Sequence, residues 1–298
     1  MMQWSYDTLL KWGTDELTAH DVENAALDAW YLLEHIYGIS RVDFLMRRSD
    51  SFDAAQMEKS TAYQALIRQR SEGFPVQYLT GSTEFMGLPF LVNEHVLIPR
   101  QDTECLVERV LPYVDGKRVL DVCTGSGCIL LSLLLELPQA LGTGVDVSEG
   151  ALCVAKENRK RLGLEQRAEL IQSDLFSADY FQKNSGNDHM EYDMLISNPP
   201  YIRTEDIEGL MEEVRFHDPV LALDGKENGL YFYEKITEQA GTYLKPGGWL
   251  MYEIGCDQGM DVSEIMKKNG FEQIEIKKDL AGLDRVVTGR KMQEEQNV

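Results

Sequence analysis

The chain has 298 residues, 43% of them hydrophobic and 27% charged, and 29 basic against 50 acidic side chains give it a formal net charge of −21. This length is above the size at which a single core usually stops growing, so we expect one large domain or two unequal domains. The longest apolar run, residues 129–135, is too short to cross a bilayer. The acidic balance, with no basic segment, disfavours a protein that holds nucleic acid through its phosphates.

The start of the chain and its cysteines are typical of a protein of the cytoplasm. The first segment has no basic stretch and no small-residue cleavage site, so it does not resemble a signal peptide. The five cysteines form no CxxC pair, and no histidine lies at the spacing of a metal ligand. We therefore expect a cytoplasmic location, reduced thiols and no metal site.

The first quarter of the chain carries helical patterns. Apolar residues recur at helical spacing over residues 22–36, after Thr18 and Asp21, which are typical helix-start residues. The helices predicted in this part cover residues 3–12, 22–36, 40–47 and 53–72.

Turn residues then separate this helical part from the rest of the chain. Gly73 and Pro75 interrupt the helical pattern. Two short extended runs follow, residues 82–86 and 89–93, with Gly87 between them. This arrangement predicts a β-hairpin.

From about residue 105 the pattern alternates between strand and helix. The predicted strands cover residues 117–122, 141–147, 168–173, 192–197, 249–254, 271–277 and 284–289. The predicted helices cover residues 128–137, 149–162, 229–244 and 258–269. The alternation predicts an α/β, Rossmann-like fold with a mainly parallel sheet and helices on both faces. The short link between the last two strands indicates an antiparallel pair.

A glycine-containing turn follows the first strand of this region. Glycines at such a strand-to-helix turn let the backbone approach a ligand closely. A dinucleotide fingerprint would continue to a third glycine, which is missing after Gly127. A GxG sequence is also compatible with a tight turn that binds nothing. As a nucleoside-cofactor site, the turn would use Asp121, Cys123, Thr124, Gly125, Ser126 and Gly127.

Acidic residues at two further strand ends strengthen this interpretation. Asp146 ends the second strand, 25 residues after Asp121, where a carboxylate can accept both ribose hydroxyls. A helix cap or a surface acid is the alternative for Asp146. S-adenosylmethionine has a ribose and a sulfonium cation but no phosphate, so it suits acids without a basic partner. After the third strand, Asp174 could hold the adenine amino group while Leu175 or Phe176 packs against the ring.

The sequence Asn198-Pro199-Pro200-Tyr201 follows the fourth strand. Ligands of open α/β sheets bind at the carboxyl ends of the strands, so this loop should face the same crevice. The prolines stiffen the loop and remove two N–H donors, which leaves carbonyls as acceptors. A planar –NH2 group could donate to the Asn198 side-chain oxygen and the Pro199 carbonyl, with Tyr201 stacked on its plane. A proline-braced turn without chemistry is the alternative.

Taken together, these residues resemble the HemK/PrmC protein-(glutamine-N5) methyltransferases, which modify peptide chain release factors. The Asn-Pro-Pro-Tyr motif is shared with DNA adenine methyltransferases, whereas residues 75–81 and 98–104 are more specific to this family. The resemblance runs from about residue 20 to 290. Its sequence blocks are residues 75–81, 96–100, 102–104, 121–127, 196–202, 252–255 and 279–290.

The resemblance implies a domain organisation and a substrate. It implies a helical substrate-docking domain (1–75), a β-hairpin linker (76–98), a seven-stranded S-adenosylmethionine-dependent methyltransferase domain (99–291) and a disordered tail (292–298). It also implies that the acceptor is the glutamine of a Gly-Gly-Gln loop in release factors. Asn198, Pro199 and Tyr201 would then be catalytic, and Pro200 would join them in binding the substrate amide. Asn198 would also touch the cofactor.

Four positions depart from the family pattern. Gln101 stands where a proline usually follows the arginine, and Cys123 replaces a usual glycine. Leu175 occupies a position that is often aromatic, and Asp218 precedes Pro219 where glutamate is usual. Of these four, the changes at Cys123 and Leu175 bear on the residue-level contacts to the cofactor and not on the reaction.

Our hypothesis is a cytoplasmic methyltransferase that uses S-adenosylmethionine to modify a glutamine of release factors. An N6-adenine methyltransferase acting on nucleic acid is the alternative, but the chain lacks a basic target-recognition region. A silent cofactor-binding module is a further alternative, and the intact Asn198–Tyr201 motif argues against it. We expect neither direct DNA binding nor membrane association.

Overall fold

The computed structural model describes residues 4–113, 117–183 and 191–293. Within these ranges the chain divides into two compact units. One unit comprises the residues up to Ser82 together with Met211–His217, and the other comprises Thr83–Leu210 and the residues from Asp218 onward. No helix of the described ranges is both long and apolar enough to span a membrane. Most of the predicted tail, residues 294–298, lies outside the described residues.

The first unit is helical, as predicted. Its inward faces bury Trp30 and Tyr63 among aliphatic side chains. A buried ion pair joins Arg70 to Asp28 at 2.7 Å, and Arg70 also reaches Glu213 of the segment 211–217 at 2.9 Å. The helices of the N-terminal stretch are α1 (Tyr6–Ala19), α2 (Ala25–Tyr37), α3 (Arg41–Arg47), α4 (Ala54–Ser71) and α5 (Val76–Thr80).

Helix α1 begins later and runs further than the predicted range of residues 3–12. Ser5 caps its start, because the Ser5 and Thr8 side chains satisfy each other's backbone N–H groups. The helix continues through Gly13, where a Cβ would overlap the Tyr63 hydroxyl. Glycine is therefore needed at this helix crossing for close packing, and it does not end the helix.

A two-stranded hairpin, β1 (Ser82–Phe85) and β2 (Leu88–Leu91), follows the N-terminal helices. Its turn residues Met86 and Gly87 both have positive φ angles, 53° and 70°, as two-residue hairpin turns require. Residues 76–80, which the sequence assigned to the hairpin linker, form α5. This helix ends at Gly81, which adopts the left-handed conformation.

The second unit is built on a seven-stranded sheet with the order β5-β4-β3-β6-β7-β9-β8. Strand β9 runs antiparallel to both neighbours, and the other pairs are parallel. The predicted α/β fold and the antiparallel final pair are confirmed. The strands are β3 (Arg118–Val122), β4 (Leu141–Asp146), β5 (Ala168–Gln172), β6 (Tyr192–Ser197), β7 (Leu244–Glu253), β8 (Phe271–Lys278) and β9 (Asp284–Lys291).

Helices cover both faces of this sheet. Val119 belongs to one buried cluster and its neighbour Leu120 to the other, because successive side chains of a strand point to opposite faces. The remaining helices are α6 (Gln101–Val110), α7 (Cys128–Glu136), α8 (Glu149–Arg161), α9 (Asp179–Lys183), α10 (Glu212–His217), α11 (Val220–Leu223), α12 (Tyr231–Tyr243) and α13 (Gly259–Lys268). Of these, α10 belongs to the helical unit.

Several elements of the second unit differ from the sequence prediction, among them the short helices α9 and α11, which were not predicted. Helix α6 was not predicted, and Gln101 is its first residue, a position where proline is also well accepted. Strand β7 begins at Leu244 and not at Trp249. Leu244 and Trp249 pair with Tyr192 and Met194 of β6, so the residues between them form an irregularity inside the strand.

Candidate active site

The carboxyl ends of four parallel strands meet at one edge of the sheet. Val122 at the end of β3 pairs with Val145 of β4 on one side and Ser197 of β6 on the other. The turns after these strands therefore lie side by side around one cleft. The cleft is lined by nine of the predicted residues, namely Cys123, Thr124, Gly125, Ser126, Asp146, Asp174, Leu175, Asn198 and Pro200.

Four residues of the two predicted motifs are not part of the cleft wall. Asp121 precedes the glycine turn, Gly127 ends it at the start of α7, and both are buried. Pro199 is buried and Tyr201 is half-buried, and both belong to the loop that Asn198 begins. The structure thus brings the two predicted motifs together, and within each motif some residues line the cleft while others lie behind its wall.

The glycine turn is held by hydrogen bonds to the neighbouring strand. Thr124 donates its backbone N–H to the Val145 carbonyl, and Gly125 donates to Asp146 Oδ2, both at 2.9 Å. Cys123 has a φ angle of 62°, in the left-handed region that favours glycine. This conformation explains physically why glycine is usual at position 123 in the family, and the cysteine accepts some backbone strain there.

Asp121 is fully buried beneath the turn. Its Oδ2 accepts a hydrogen bond from the Thr124 hydroxyl at 2.6 Å. Its Oδ1 has no hydrogen-bond partner among the described atoms. Burial raises the pKa of Asp121 to about 7, and the Thr124 hydrogen bond offsets only part of this. An incompletely satisfied buried carboxyl group of this kind often marks a functional site.

Asp146 both braces the turn and lines the cleft. Its two carboxylate oxygens accept the backbone N–H groups of Gly125 and Ser148, each at 2.9 Å. Burial raises the pKa of Asp146, and these backbone hydrogen bonds counteract the rise. Each oxygen keeps a second lone pair. Ser148, and not Asp146, caps α8 through its hydroxyl, so the helix-cap alternative for Asp146 is wrong.

The three residues predicted for the adenine region differ in exposure, and Phe176 is buried against Tyr243 and does not line the cleft. Asp174 is exposed and Leu175 is half-buried. Leu175 has a φ angle of 50°, and its side chain packs against the buried cluster of one sheet face. The cleft therefore offers an apolar surface beside an exposed carboxylate at the end of β5.

The Asn198–Tyr201 loop is supported from below. The Ser197 hydroxyl donates to the Val122 carbonyl at 2.6 Å, which ties β6 to the base of the glycine turn. Gln258 donates from Nε2 to the carbonyls of Tyr201 (3.0 Å) and Gly229 (3.2 Å). A Cβ on Gly225 would lie 2.7 Å from the Tyr201 backbone. The loop backbone is thus enclosed by groups distant in sequence.

Two residues beside Asn198 were not predicted as site residues. Asn198 donates from Nδ2 to the Thr103 hydroxyl oxygen at 3.4 Å. Burial raises the pKa of Glu253 to about 7, and hydrogen bonds from Thr103 and Asn198 to its carboxylate lower it in part. Thr103 and Glu253 lie in the family-like blocks 102–104 and 252–255. Membership of these blocks was the feature of the sequence from which their place in the site could have been predicted.

The charge around the cleft is mainly negative. Among the described lining residues only Arg100 is cationic, and its guanidinium pairs with the buried Asp218 at 2.7 Å. Burial raises the pKa of Tyr201 to about 12, and the nearby Glu253 adds to the rise. Tyr201 is therefore a neutral phenol at physiological pH. The site suits a cationic or neutral ligand and offers little to a pyrophosphate.

Comparison with known proteins covers nearly the whole chain. Residues 8–81 match the family model of the PrmC N-terminal domain, and residues 114–295 match a methyltransferase domain. The chain is 39% identical over 289 residues to the release factor glutamine methyltransferase of Geobacter sulfurreducens, covering 96% of this chain and 97% of that protein. It is 40% identical to the enzyme of the same name from Agrobacterium fabrum, and the match covers 92% of this chain and 93% of that protein.

A solved structure shares the fold. A methyltransferase from Pyrococcus furiosus superposes with a TM-score of 0.50 and covers 78% of this chain and 99% of that one. The two sequences are 17% identical, so this similarity concerns the architecture alone.

Proposed function

The chain belongs to the release factor glutamine methyltransferase family, and from this premise we propose that it transfers a methyl group from S-adenosylmethionine to a release-factor glutamine. The acceptor is the side-chain amide nitrogen of the glutamine in the Gly-Gly-Gln loop. The observation that carries this proposal is the shared cleft, into which both the glycine turn and Asn198 open.

The chemistry of the cleft fits this cofactor. Asp146 keeps lone pairs for ribose hydroxyls, and the apolar wall at Leu175 suits an adenine ring. Gly125 has a φ angle of 56°, and no described atom lies within 4 Å of the place a Cβ would take, so its backbone leaves room for a ligand. The cationic sulfonium suits a cleft whose single cation, among the described lining residues, is already paired with Asp218. When bound, the cofactor supplies an electrophilic methyl group.

The Asn198 loop supplies the acceptor site in this proposal. An amide nitrogen is a poor nucleophile because its lone pair is delocalised into the carbonyl. The Asn198 oxygen and the Pro199 carbonyl accept the two N–H groups of the substrate amide, which stabilises positive charge as it develops on nitrogen. Tyr201 is neutral, so its ring face can pack against the amide plane without a competing charge. Holding the nitrogen in line with the methyl group supplies much of the remaining acceleration.

The helical unit serves as the docking domain for the protein substrate in this proposal. Its segment matches the PrmC N-terminal domain, and none of the described cleft-lining residues belongs to it. A variant lacking residues 1–73 should bind the cofactor but lose most activity on an intact release factor. Full activity of this variant on the whole protein would contradict the docking role.

The acceptor is tested by offering several substrates side by side. We expect methylation of a release factor, none of its loop Gln→Ala variant, and none of duplex or single-stranded DNA. Adenine in a duplex must be flipped out and clamped through its phosphates, and a chain with a net charge of −21 supports such clamping poorly. Transfer to DNA, or equal labelling of the Gln→Ala variant, would overturn the proposal in favour of the alternative acceptor.

The role of Asn198 is tested by Asn198→Ala. Loss of a transition-state hydrogen-bond group typically lowers the rate by about 100- to 1,000-fold. Cofactor affinity should remain close to that of the parent, since the main cofactor contacts lie on the glycine turn and Asp146. Turnover near the parental rate would exclude the proposed mechanism.

A further inference from the structure

The side-chain amide of Asn198 is bound at its nitrogen end. Nδ2 donates to Thr103 Oγ1 at 3.4 Å. The Glu253 carboxyl group ends the paired strand β7, and the side chains of Thr103 and Asn198 both lower its pKa. Oδ1 accepts no hydrogen bond within the described part of the chain, and Asn198 lines the cleft. Because the two ends of an amide have nearly the same shape, only such a network decides which end faces the cleft.

Glu253 is an unusual residue to find at this position. It ends β7 and is 2% exposed, although a buried carboxylate is costly unless it is well paired. Its Oε2 has no hydrogen-bond partner among the described atoms. A carboxylate left incompletely satisfied in this way calls for a reason other than stability.

A purely structural ion pair does not account for Glu253. Arg285 is the cation whose charge acts on it, but the Arg285 guanidinium pairs with Asp102 at 3.2 Å and with Asp279 at 3.1 Å. No ion pair involves Glu253 in the described ranges. The carboxylate is therefore held beside Asn198 and Thr103 without a salt bridge of its own.

We propose that Glu253 and Thr103 are positioning residues that fix the Asn198 amide with Oδ1 directed at the substrate nitrogen. Above a pH of about 7, Glu253 is mainly ionised. In that form its carboxylate only accepts hydrogen bonds, so it attracts Nδ2 and repels Oδ1. The Thr103 hydroxyl accepts from Nδ2, which leaves its own proton available for the neighbouring Glu253 carboxylate. The inference rests on the proposed function, because it explains how Asn198 presents an acceptor to the substrate amide.

The first test removes the Thr103 hydroxyl without changing the volume. Thr103→Val should lower kcat for release-factor methylation by about tenfold or more, as loss of an orienting group does. The KM for the release factor and the cofactor affinity should change much less than kcat, because Thr103 is one of many cleft-lining residues and the main proposed cofactor contacts lie on the glycine turn and Asp146. Thr103→Ser keeps the hydroxyl and should lose severalfold less of the rate than Thr103→Val. Equal losses in the two variants would show that the hydroxyl has no positioning role.

The second test exchanges donor and acceptor across the pair. Asn198→Asp places two carboxylates side by side and should reduce kcat by at least about 100-fold. In the double variant Asn198→Asp/Glu253→Gln, the amide introduced at position 253 can donate to one oxygen of the carboxylate introduced at position 198 and leave the other oxygen for the substrate. The double variant should be at least about tenfold more active than Asn198→Asp alone, which is a coupling typical of contacting residues.

Cofactor affinity and thermal unfolding are measured for every variant to show that it is folded. Rates are compared only among variants that bind the cofactor and unfold at a temperature close to that of the parent. A double variant no more active than Asn198→Asp alone would overturn the positioning network while leaving the proposed function intact. Failure of the unaltered enzyme to methylate the release factor would instead overturn both. The two failures are therefore distinguishable in one set of assays.

Discussion

Gly229 lies directly against the Tyr201 carbonyl, so that a Cβ at position 229 would fall 2.5 Å from its oxygen and 2.7 Å from Gln258 Nε2. Gly229 also has a φ angle of 72°, where any side chain is strained. The backbone of the Asn198–Tyr201 loop thus depends on a glycine about thirty residues further along the chain. The position of the loop backbone is set by packing against Gly229 and by the hydrogen bond that Gln258 donates to the Tyr201 carbonyl.

Gly229→Ala should therefore displace this loop. We expect a loss of about 1–3 kcal/mol in the free energy of unfolding, typical of overpacking, and a drop of at least about tenfold in methyl transfer. Gly241→Ala is the matched control, because Gly241 lies on α12 with no atom within 4 Å of a Cβ. This control should be neutral or slightly stabilising. Urea unfolding measures the stability of the two variants, and a methyl-transfer assay measures their activity. Equal stability and activity of the two variants would contradict the prediction.

Asp146→Ala should weaken S-adenosylmethionine binding by at least about tenfold, since a hydrogen bond to a charged group contributes roughly 1.5–3 kcal/mol. The variant also loses the acceptor that holds the Gly125 N–H. Glu157→Ala, an exposed acid on the neighbouring helix α8, serves as the control and should bind normally. Calorimetry gives both affinities. An unchanged affinity of Asp146→Ala would place the ribose contact elsewhere.

Asp121 should make stability depend on pH in a defined direction. Its folded-state pKa of about 7 lies above the ordinary value, so the folded protein binds more protons than the unfolded chain between about pH 4 and 7. The free energy of unfolding therefore falls as pH rises through this window and levels off above it. The contribution is roughly 4 kcal/mol, because about three pKa units separate the folded and unfolded states and each corresponds to about 1.4 kcal/mol.

Asp121→Asn isolates this contribution, because the other carboxyl groups titrate in both proteins. The stability of Asp121→Asn relative to the parent should increase from pH 5 to pH 8 in the cofactor-free protein. Urea unfolding at several pH values provides the measurement. A difference that stays constant with pH, or one that decreases, would show that Asp121 is ionised normally.

Arg70→Ala should destabilise the helical unit by about 3–5 kcal/mol, because it leaves Asp28 buried without its partner. Arg68→Ala is the control, as Arg68 lies in the same last turn of α4 but is exposed. Since two units need not unfold together, amide hydrogen exchange in α2 and α4 is the suitable measurement. Similar exchange rates in the two variants would mean that the ion pair contributes little.

The order of the elements and the identity of the two motifs followed from the sequence alone. Apolar periodicity is a local signal, so most helices and all seven strands of the sheet were located from it. The Gly125 turn and the Asn198 loop each follow a predicted strand, and parallel strands end at a common edge. That geometric rule was sufficient to place the motifs around one cleft.

Only the tertiary structure decided what holds these motifs in place. Thr103 lies 95 residues before Asn198, and Glu253 reaches Asn198 because β7 pairs with β6 in the sheet. Strand order and helix crossings depend on long-range packing, which no local pattern encodes. The same reason applies to Gly13 against Tyr63, to Gly229 against Tyr201, and to the return of segment 211–217 to the helical unit.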